Sequence, residues 1–238
     1  MPTPTLVPDT GWILLQPGLE RRVIHLLDEQ GQLVESLYVL RLTVERFQFD
    51  VAYHPQPQTL EAWRAETDAL LIVNGGYYRL ENGKSLPNGL MVVNGEAIGS
   101  SYGAFAGMLA ITDRGPELRW LAQKPYDPAE PLRGALQSFP LLVIPGGEIG
   151  FPRELEDNQR ARRTVIGQDR EGRILFLVAS LGHVTLHELS VYLAESDLGL
   201  DLAMNLDGGP SSGLLLSSPR EEIPAYTLLP IVITVRVR

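Results

Sequence analysis

The sequence predicts an α+β fold: a single domain with a largely antiparallel or mixed β-sheet core and few helices. Three observations carry this. Leu40, Leu42 and Val44 alternate with Arg41, Thr43 and Glu45, and Phe47, Phe49, Val51 and Tyr53 repeat the period of two, so each segment has one face to bury. The C-terminus alternates in the same way, with Ile231, Ile233, Val235 and Val237 on one face and Val232, Thr234, Arg236 and Arg238 on the other. Elsewhere short apolar runs are separated by Gly, Asn and Pro, and one helix is strongly signalled.

Taken in order, the first ten residues hold three prolines and three threonines. That composition predicts an extended, solvated linker over 1–10, with the folded domain at 11–238. Such segments often follow a secretory signal or lipid anchor, so export is expected, to the periplasm, the exterior or the envelope; a cytosolic N-terminus is the alternative. Thr59 to Thr67 fits a short helix with Leu60 and Trp63 three apart. Ala69 to Val73 is a strand that ends at Asn74-Gly75-Gly76. Gly89 to Val93 leads into Asn94-Gly95, a hairpin turn signal. Asp113 to Pro131 is polar and proline-rich and reads as a long surface excursion. Leu141 to Ile144 is a strand stopped by Pro145-Gly146-Gly147, and Gly150 to Arg160 reads as a mobile loop. Thr164 to Ile166 and Ile174 to Ala179 flank a turn at Asp169-Arg170-Glu171-Gly172. Thr185-Leu186-His187-Glu188 fits a capping box, followed by an apolar helix face at Leu186, Leu189 and Leu193. Leu200 to Met204 reads as a buried strand.

The bulk numbers narrow the function classes. At 238 residues, 44% hydrophobic and 21% charged, the chain is ample for a sizeable core. A net charge of −9 argues against nucleic acid as a partner. No apolar run reaches the roughly 18 residues of a membrane span. Cysteine is absent, so disulfides and thiol chemistry are excluded.

The strongest site signal is Asn205-Leu206-Asp207-Gly208-Gly209-Pro210-Ser211-Ser212, a strand end rich in oxygen ligands and glycine. Glycines let a backbone turn sharply and approach a ligand. Asn74-Gly75-Gly76 is a second strand end of the same kind; if both strands share a sheet, both ends line one crevice. Arg160-Ala161-Arg162-Arg163 is the densest basic cluster, and Arg163, at a strand start, is its best phosphate clamp. Glu188 is a candidate carboxylate with capping as its rival role. His183 and His187 are four apart, but the helix start lies between them and no third ligand has zinc spacing. Gly209-x-Ser211-x-Gly213 matches a hydrolase nucleophile elbow, yet all four histidines lie upstream of it.

The strand-end octet resembles the signature of the phosphodiester glycosidase family. Other blocks follow in the family's order: Asn74-Gly75-Gly76-Tyr77-Tyr78, Pro87-x-Gly89-Leu90 through Asn94-Gly95-Glu96, Arg163-Thr164-x-x-Gly167-x-Asp169, and Thr185-x-x-Glu188-Leu189. Pro17-Gly18-Leu19-Glu20 fits the opening of bacterial members. One position departs: Pro210 stands where the family pattern has a third glycine. The resemblance implies hydrolysis of a sugar-1-phosphodiester at the anomeric carbon, N-acetylglucosamine-1-phosphodiesters among the candidates. In that scheme Asp207 and Glu188 are the catalytic carboxylates, and Asn74, Arg163, Thr164, Asn205, Gly208, Gly209, Ser211 and Ser212 bind substrate. The expected partner is a small-molecule or glycan sugar-phosphodiester. No cofactor is required, although Asp207, Asn205 and Asn74 are oxygen ligands of a type calcium accepts. Two other readings stand beside it: a non-catalytic domain binding envelope glycan or sugar phosphate, and, less favoured, a serine hydrolase acting through Ser211.

Overall fold

Alternating β-branched and aromatic residues lead to strands, and the computed structural model, which describes residues 7–238, is built almost wholly from antiparallel ones. Three sheets enclose the main core. The largest has eight strands, running from Ile13–Gln16 at one edge through Leu19–Leu27, Leu33–Leu42, Ile174–Val184, Ala161–Asp169, Leu200–Asn205 and Leu141–Ile144 to Glu148–Ile149. A five-stranded sheet has Leu71–Asn74 between Leu214–Ser217 and Leu229–Val237, with Arg220–Ile223 and Phe47–Gln58 at its edges. A second five-stranded sheet centres on Gly107–Thr112 and Gly134–Ser138. The inward faces of all three meet in one cluster that includes Leu42, Phe49, Val73, Met91, Ile111, Phe176, Met204 and Ile233. Phe49, Val51, Ile231, Ile233 and Val235 are buried as the alternation predicts.

The two α-helices cover outer faces. Leu186–Glu195 buries Leu189 and Leu193 on the eight-stranded sheet, and its capping box is formed in both directions by Thr185 and Glu188. Leu60–Thr67 buries Leu60 and Trp63, starts from the Thr59 side chain, and stops at Asp68 in a left-handed conformation. The Asn94-Gly95 turn joins Met91–Val93 to Glu96–Ile98, with both turn residues at positive φ.

Three local expectations change. Asp113 to Pro131 is not one surface excursion: Gly115–Trp120 is a strand paired with Gly107–Thr112. Its Arg119 is buried and held by Glu117 and Glu130, so a polar sequence sits inside by mutual neutralisation. Val44 does not continue the preceding strand but starts a 3₁₀ turn, Val44–Arg46. The stretch expected to be a loop before Arg160 carries a 3₁₀ turn at Arg153–Leu155. The expected N-terminal linker falls largely on residues 1–6, outside the described residues. Pro8 to Thr10 lie against Leu19–Leu27, with Asp9 paired to Arg22.

Candidate functional site

The site forms where two strand ends from different sheets meet. Asn74 and Asn205 were expected side by side if their strands shared a sheet; Leu71–Asn74 and Leu200–Asn205 do not. The sheets are stapled across the core instead. Asn74 Nδ2 donates to the Asp207 carbonyl at 2.7 Å, and the Asp207 N–H donates to the Gly75 carbonyl at 3.0 Å. Gly75 also packs against the next strand of its own sheet, where a Cβ would come within 2.6 Å of Ile231 Cγ2. Asn74 Oδ1 accepts from the Thr164 hydroxyl at 2.8 Å and the Gly213 N–H at 3.0 Å. Both ends of the Asn74 amide, and the Thr164 hydroxyl, are thus engaged within the chain.

Asn205 differs. It is fully buried, and its Nδ2 donates to the Leu206 carbonyl and the Tyr77 phenol oxygen, each at 2.7 Å. These contacts fix the amide orientation and leave Oδ1 with no hydrogen-bond partner among the described residues. The Arg163 Nε and the Ser212 hydroxyl are buried and unpartnered in the same way. Arg163 Nη2 donates to the Gln159 carbonyl. Burial lowers the Arg163 pKa from its ordinary value, while the nearby Tyr77, Glu156 and Asp157 favour its charge.

Asp207 is partly buried at the mouth of this cluster. Desolvation pushes its carboxyl above the ordinary aspartate value; the Ser211 hydroxyl and the Gly208 N–H, 2.9 Å from Oδ1, act in the opposite sense. Tyr77 links Asp207 to Arg163 electrostatically. Burial, with the Asp207 charge, pushes its phenol up to about 12, and Arg163 opposes that rise. The Tyr77 hydroxyl thus stays neutral and accepts from Asn205 Nδ2. Tyr77 has no role legible in its motif, because its hydrogen bond to Asn205 joins residues 128 apart in the chain.

The loop after Asp207 is a 3₁₀ turn, Gly209–Ser211. Gly209 has φ +59, which favours glycine, and Pro210 sits in the first turn. There its missing N–H costs no turn bond, because the bonds run from Ser211 to Gly208 and from Ser212 to Gly209. The family departure at Pro210 is therefore compatible with the turn. Gly208 lies beside Arg163: a Cβ there would be 4.0 Å from Arg163 Cδ.

Glu188 is elsewhere in its contacts. It is exposed, caps the Leu186–Glu195 helix by accepting from the Thr185 N–H at 3.0 Å, and pairs with Arg160 at 2.6 and 2.8 Å. Desolvation would raise its pKa, but the Arg160 guanidinium and the Thr185 N–H outweigh it and hold the carboxyl below the usual glutamate range. No hydrogen bond joins Glu188 to Asp207, Asn205 or Arg163 among the described residues. His183 and His187 each contact a backbone carbonyl through Nδ1, of Val34 and Phe151. Among the described residues, no three His, Cys, Asp or Glu side chains come together in a way that could hold a metal ion.

No curated protein matches the chain in sequence. In fold it is similar to the catalytic domain of zebrafish N-acetylglucosamine-1-phosphodiester α-N-acetylglucosaminidase auto-inhibited by its pro-peptide, with a TM-score of 0.72 at 18% identity over 94% of this chain and 85% of that one. It is also similar to a hypothetical protein from Synechocystis, with a TM-score of 0.65 at 15% identity over 95% of this chain and 63% of that one. A third similar structure, a protein of Burkholderia pseudomallei described as exported, has a TM-score of 0.59 at 14% identity over 85% of this chain and 74% of that one. The phosphodiester glycosidase family model matches residues 67–228, the segment that holds Asn74, Arg163 and Asp207. The chain belongs to the phosphodiester glycosidase family.

Proposed function

We propose that the protein hydrolyses the bond between the anomeric carbon and the phosphate of a sugar-1-phosphodiester. The observation that carries this reading is the cluster of buried polar atoms without partners beside Asp207: Asn205 Oδ1, Ser212 Oγ and Arg163 Nε. Each such atom costs about 1–3 kcal/mol when unpaired, so a cluster of them fits a polar, anionic ligand. Family membership supplies the reaction class.

In this reading Arg163 and the Ser211 and Ser212 hydroxyls hold the phosphate, with Gly208 and Gly209 giving the backbone room to approach. The Tyr77 hydroxyl and Asn205 Oδ1 orient the sugar. Asp207 is the base. A water's oxygen bonds to the anomeric carbon while its proton passes to Asp207. The carbon–oxygen bond to phosphate breaks, and its electron pair leaves on the phosphate oxygen as a phosphomonoester. That leaving group is a stable anion, so charge stabilisation by Arg163 does more than proton donation would. Asn74 and Thr164 hold the frame, and Glu188 holds the helix and Arg160. A single displacement inverts the anomeric centre. The steps need no cofactor, and the hydrolytic rate is expected to survive EDTA; a calcium requirement would show as loss restored by calcium. Export is part of the reading, supported by the exported Burkholderia neighbour, and is checked by cell fractionation.

The test is release of free sugar from N-acetylglucosamine-1-phosphodiesters by wild type and Asp207→Asn. Release by wild type alone, with inverted configuration, is the expected result. Equal release by a folded Asp207→Asn protein would overturn the assignment. A second reading, a sugar-phosphate-binding module, is favoured by one observation: Glu188, the second carboxylate the chemistry would call on, is held by Arg160 and the Thr185 N–H. No release, with sugar phosphates raising the Tm, would select it.

A further inference from the structure

Arg163 is buried but only partly engaged. Its Nη2 donates to the Gln159 carbonyl at 2.5 Å, and its Nε has no partner among the described residues. Glu156 and Asp157 favour its charge from a distance, and no carboxylate hydrogen-bonds it among the described residues. The carbonyl that holds Arg163 therefore arrives on the segment that carries these two acids. That segment has little to fix it by packing: within 152–160 every residue is exposed except Glu156. Glu156 Oε2 accepts from the His187 N–H, in the first turn of the Leu186–Glu195 helix, at 2.7 Å, and Oε1 accepts from the Asn158 N–H at 2.9 Å. A carboxylate suits that place, because the first N–H groups of a helix have no partners inside it. Asn158 takes a left-handed conformation, φ +61, which Asn tolerates better than most residues. The Gln159 N–H then donates to Asp157 Oδ1 at 2.9 Å, and the chain enters the strand of Arg163. Desolvation would raise the Glu156 carboxyl, but hydrogen bonds led by the His187 N–H outweigh it and hold the group below the usual glutamate range.

Taking the phosphodiester reading as given, we propose that Glu156 is the positioning residue of the phosphate clamp: by docking 153–159 on the helix N-terminus, it places the Gln159 carbonyl that orients Arg163. A guanidinium carries its five donors in one plane. A carbonyl on Nη2 fixes that plane and leaves Nε to a phosphate oxygen. A carboxylate in direct contact would serve worse, since it would compete with phosphate for the same donors. Glu156 instead supplies its counter-charge from a distance and its rigidity through the backbone. Rival roles differ in sign. Were Glu156 only a negative charge near the site, its removal would tighten anion binding. Were it only a cap, its removal would lower stability and leave the preference for phosphate untouched. Positioning requires weaker anion binding when the side chain is removed, and recovery when an uncharged acceptor of the same length replaces it.

The experiment takes wild type, Glu156→Ala and Glu156→Gln through two readouts. One is kcat/KM for an N-acetylglucosamine-1-phosphodiester relative to a neutral aryl glycoside of the same sugar. The other is calorimetric binding of N-acetylglucosamine 1-phosphate, which needs no turnover; thermal denaturation reads the cap separately. Glu156→Ala is expected to bind the sugar phosphate about 10-fold more weakly and to lose about the same factor in the diester-to-glycoside ratio, through KM. Glu156→Gln, whose side-chain oxygen still accepts from the His187 N–H, is expected to return both to within about twofold of wild type or tighter. A ratio unchanged by Glu156→Ala, tighter anion binding in that variant, or a Glu156→Gln protein as weak as Glu156→Ala overturns the proposal. If no diester is hydrolysed but Glu156→Ala weakens sugar phosphate binding and Glu156→Gln restores it, the hydrolase reading fails and the role of Glu156 stands. If the wild type binds no sugar phosphate, the proposal fails with the clamp itself.

Discussion

Arg160 and Arg163 come from one basic run three residues apart, yet they serve opposite neighbourhoods. Arg160 closes on Glu188 at the surface, and the carboxylate is held below its usual range. Arg163 is buried, its Nε without a partner among the described residues, and Asp207, two strand ends away in the same candidate site, is raised by burial. In the first neighbourhood charge and hydrogen bonds are matched within the chain, and nothing is left to act on a ligand. In the second they are not. A charged pair that is already satisfied stabilises an element; a buried group with capacity to spare marks a site.

The comparison breaks first if Asp207 proves dispensable. Asp207→Asn is expected to lower kcat on the phosphodiester by about 10²–10⁴-fold, as loss of a general base does. Next, Arg163→Met should lower kcat/KM for phosphodiesters by about 10²-fold more than for a neutral aryl glycoside of the same sugar; equal losses on both would remove Arg163 from the phosphate. Asn74→Ala strands the Thr164 hydroxyl and the Gly213 N–H in the core. It should cost about 1–3 kcal/mol in urea denaturation, with the frame between the sheets loosened. Glu188→Ala should cost about 1 kcal/mol or less, since it removes a cap and an exposed pair, and should leave kcat/KM within about threefold of wild type, against the roughly 10²-fold or greater loss expected of a general acid. A loss of two orders would return Glu188 to the chemistry.

The smallest effect sharpens the contrast through pH. Burial raises Asp207 in the native state, so the native fold favours its protonated form. The stability linked to that proton is full below the ordinary aspartate pKa and is lost as pH rises through the raised native value. Asp207→Asn should therefore have the higher Tm at neutral pH, with the difference closing in acid. Glu188 has the opposite sign: its stabilisation is present above the usual glutamate value and fades as pH falls through its lowered one. A wild type more stable than Asp207→Asn at neutral pH would sink the first assignment.

Much of the architecture was legible in the chain. The alternations at Phe47 to Tyr53 and Ile231 to Val237, the Asn94-Gly95 turn and the Thr185–Glu188 capping box are local patterns, and local geometry answers to them. The strand at Gly115–Trp120 was hidden because its buried arginine is neutralised by Glu117 and by Glu130, which lies beyond the strand. Within the site, Asp207, Asn205, Arg163 and the serines were visible as unusual residues at strand ends. The role of Tyr77 was not, since Tyr77 meets Asn205 across 128 residues of chain.

Sequence alone determined the strands whose side chains alternate, the turn at Asn94-Gly95 and which residues could do chemistry, because side-chain periodicity and turn propensity act over a few residues. Only the tertiary structure decided that Asn74 and Asp207, 133 residues apart, staple two sheets, and that Arg160 is neutralised while Arg163 is not. Whether a charge or an amide finds its partner depends on how the sheets pack over the whole chain, and desolvation then sets its strength.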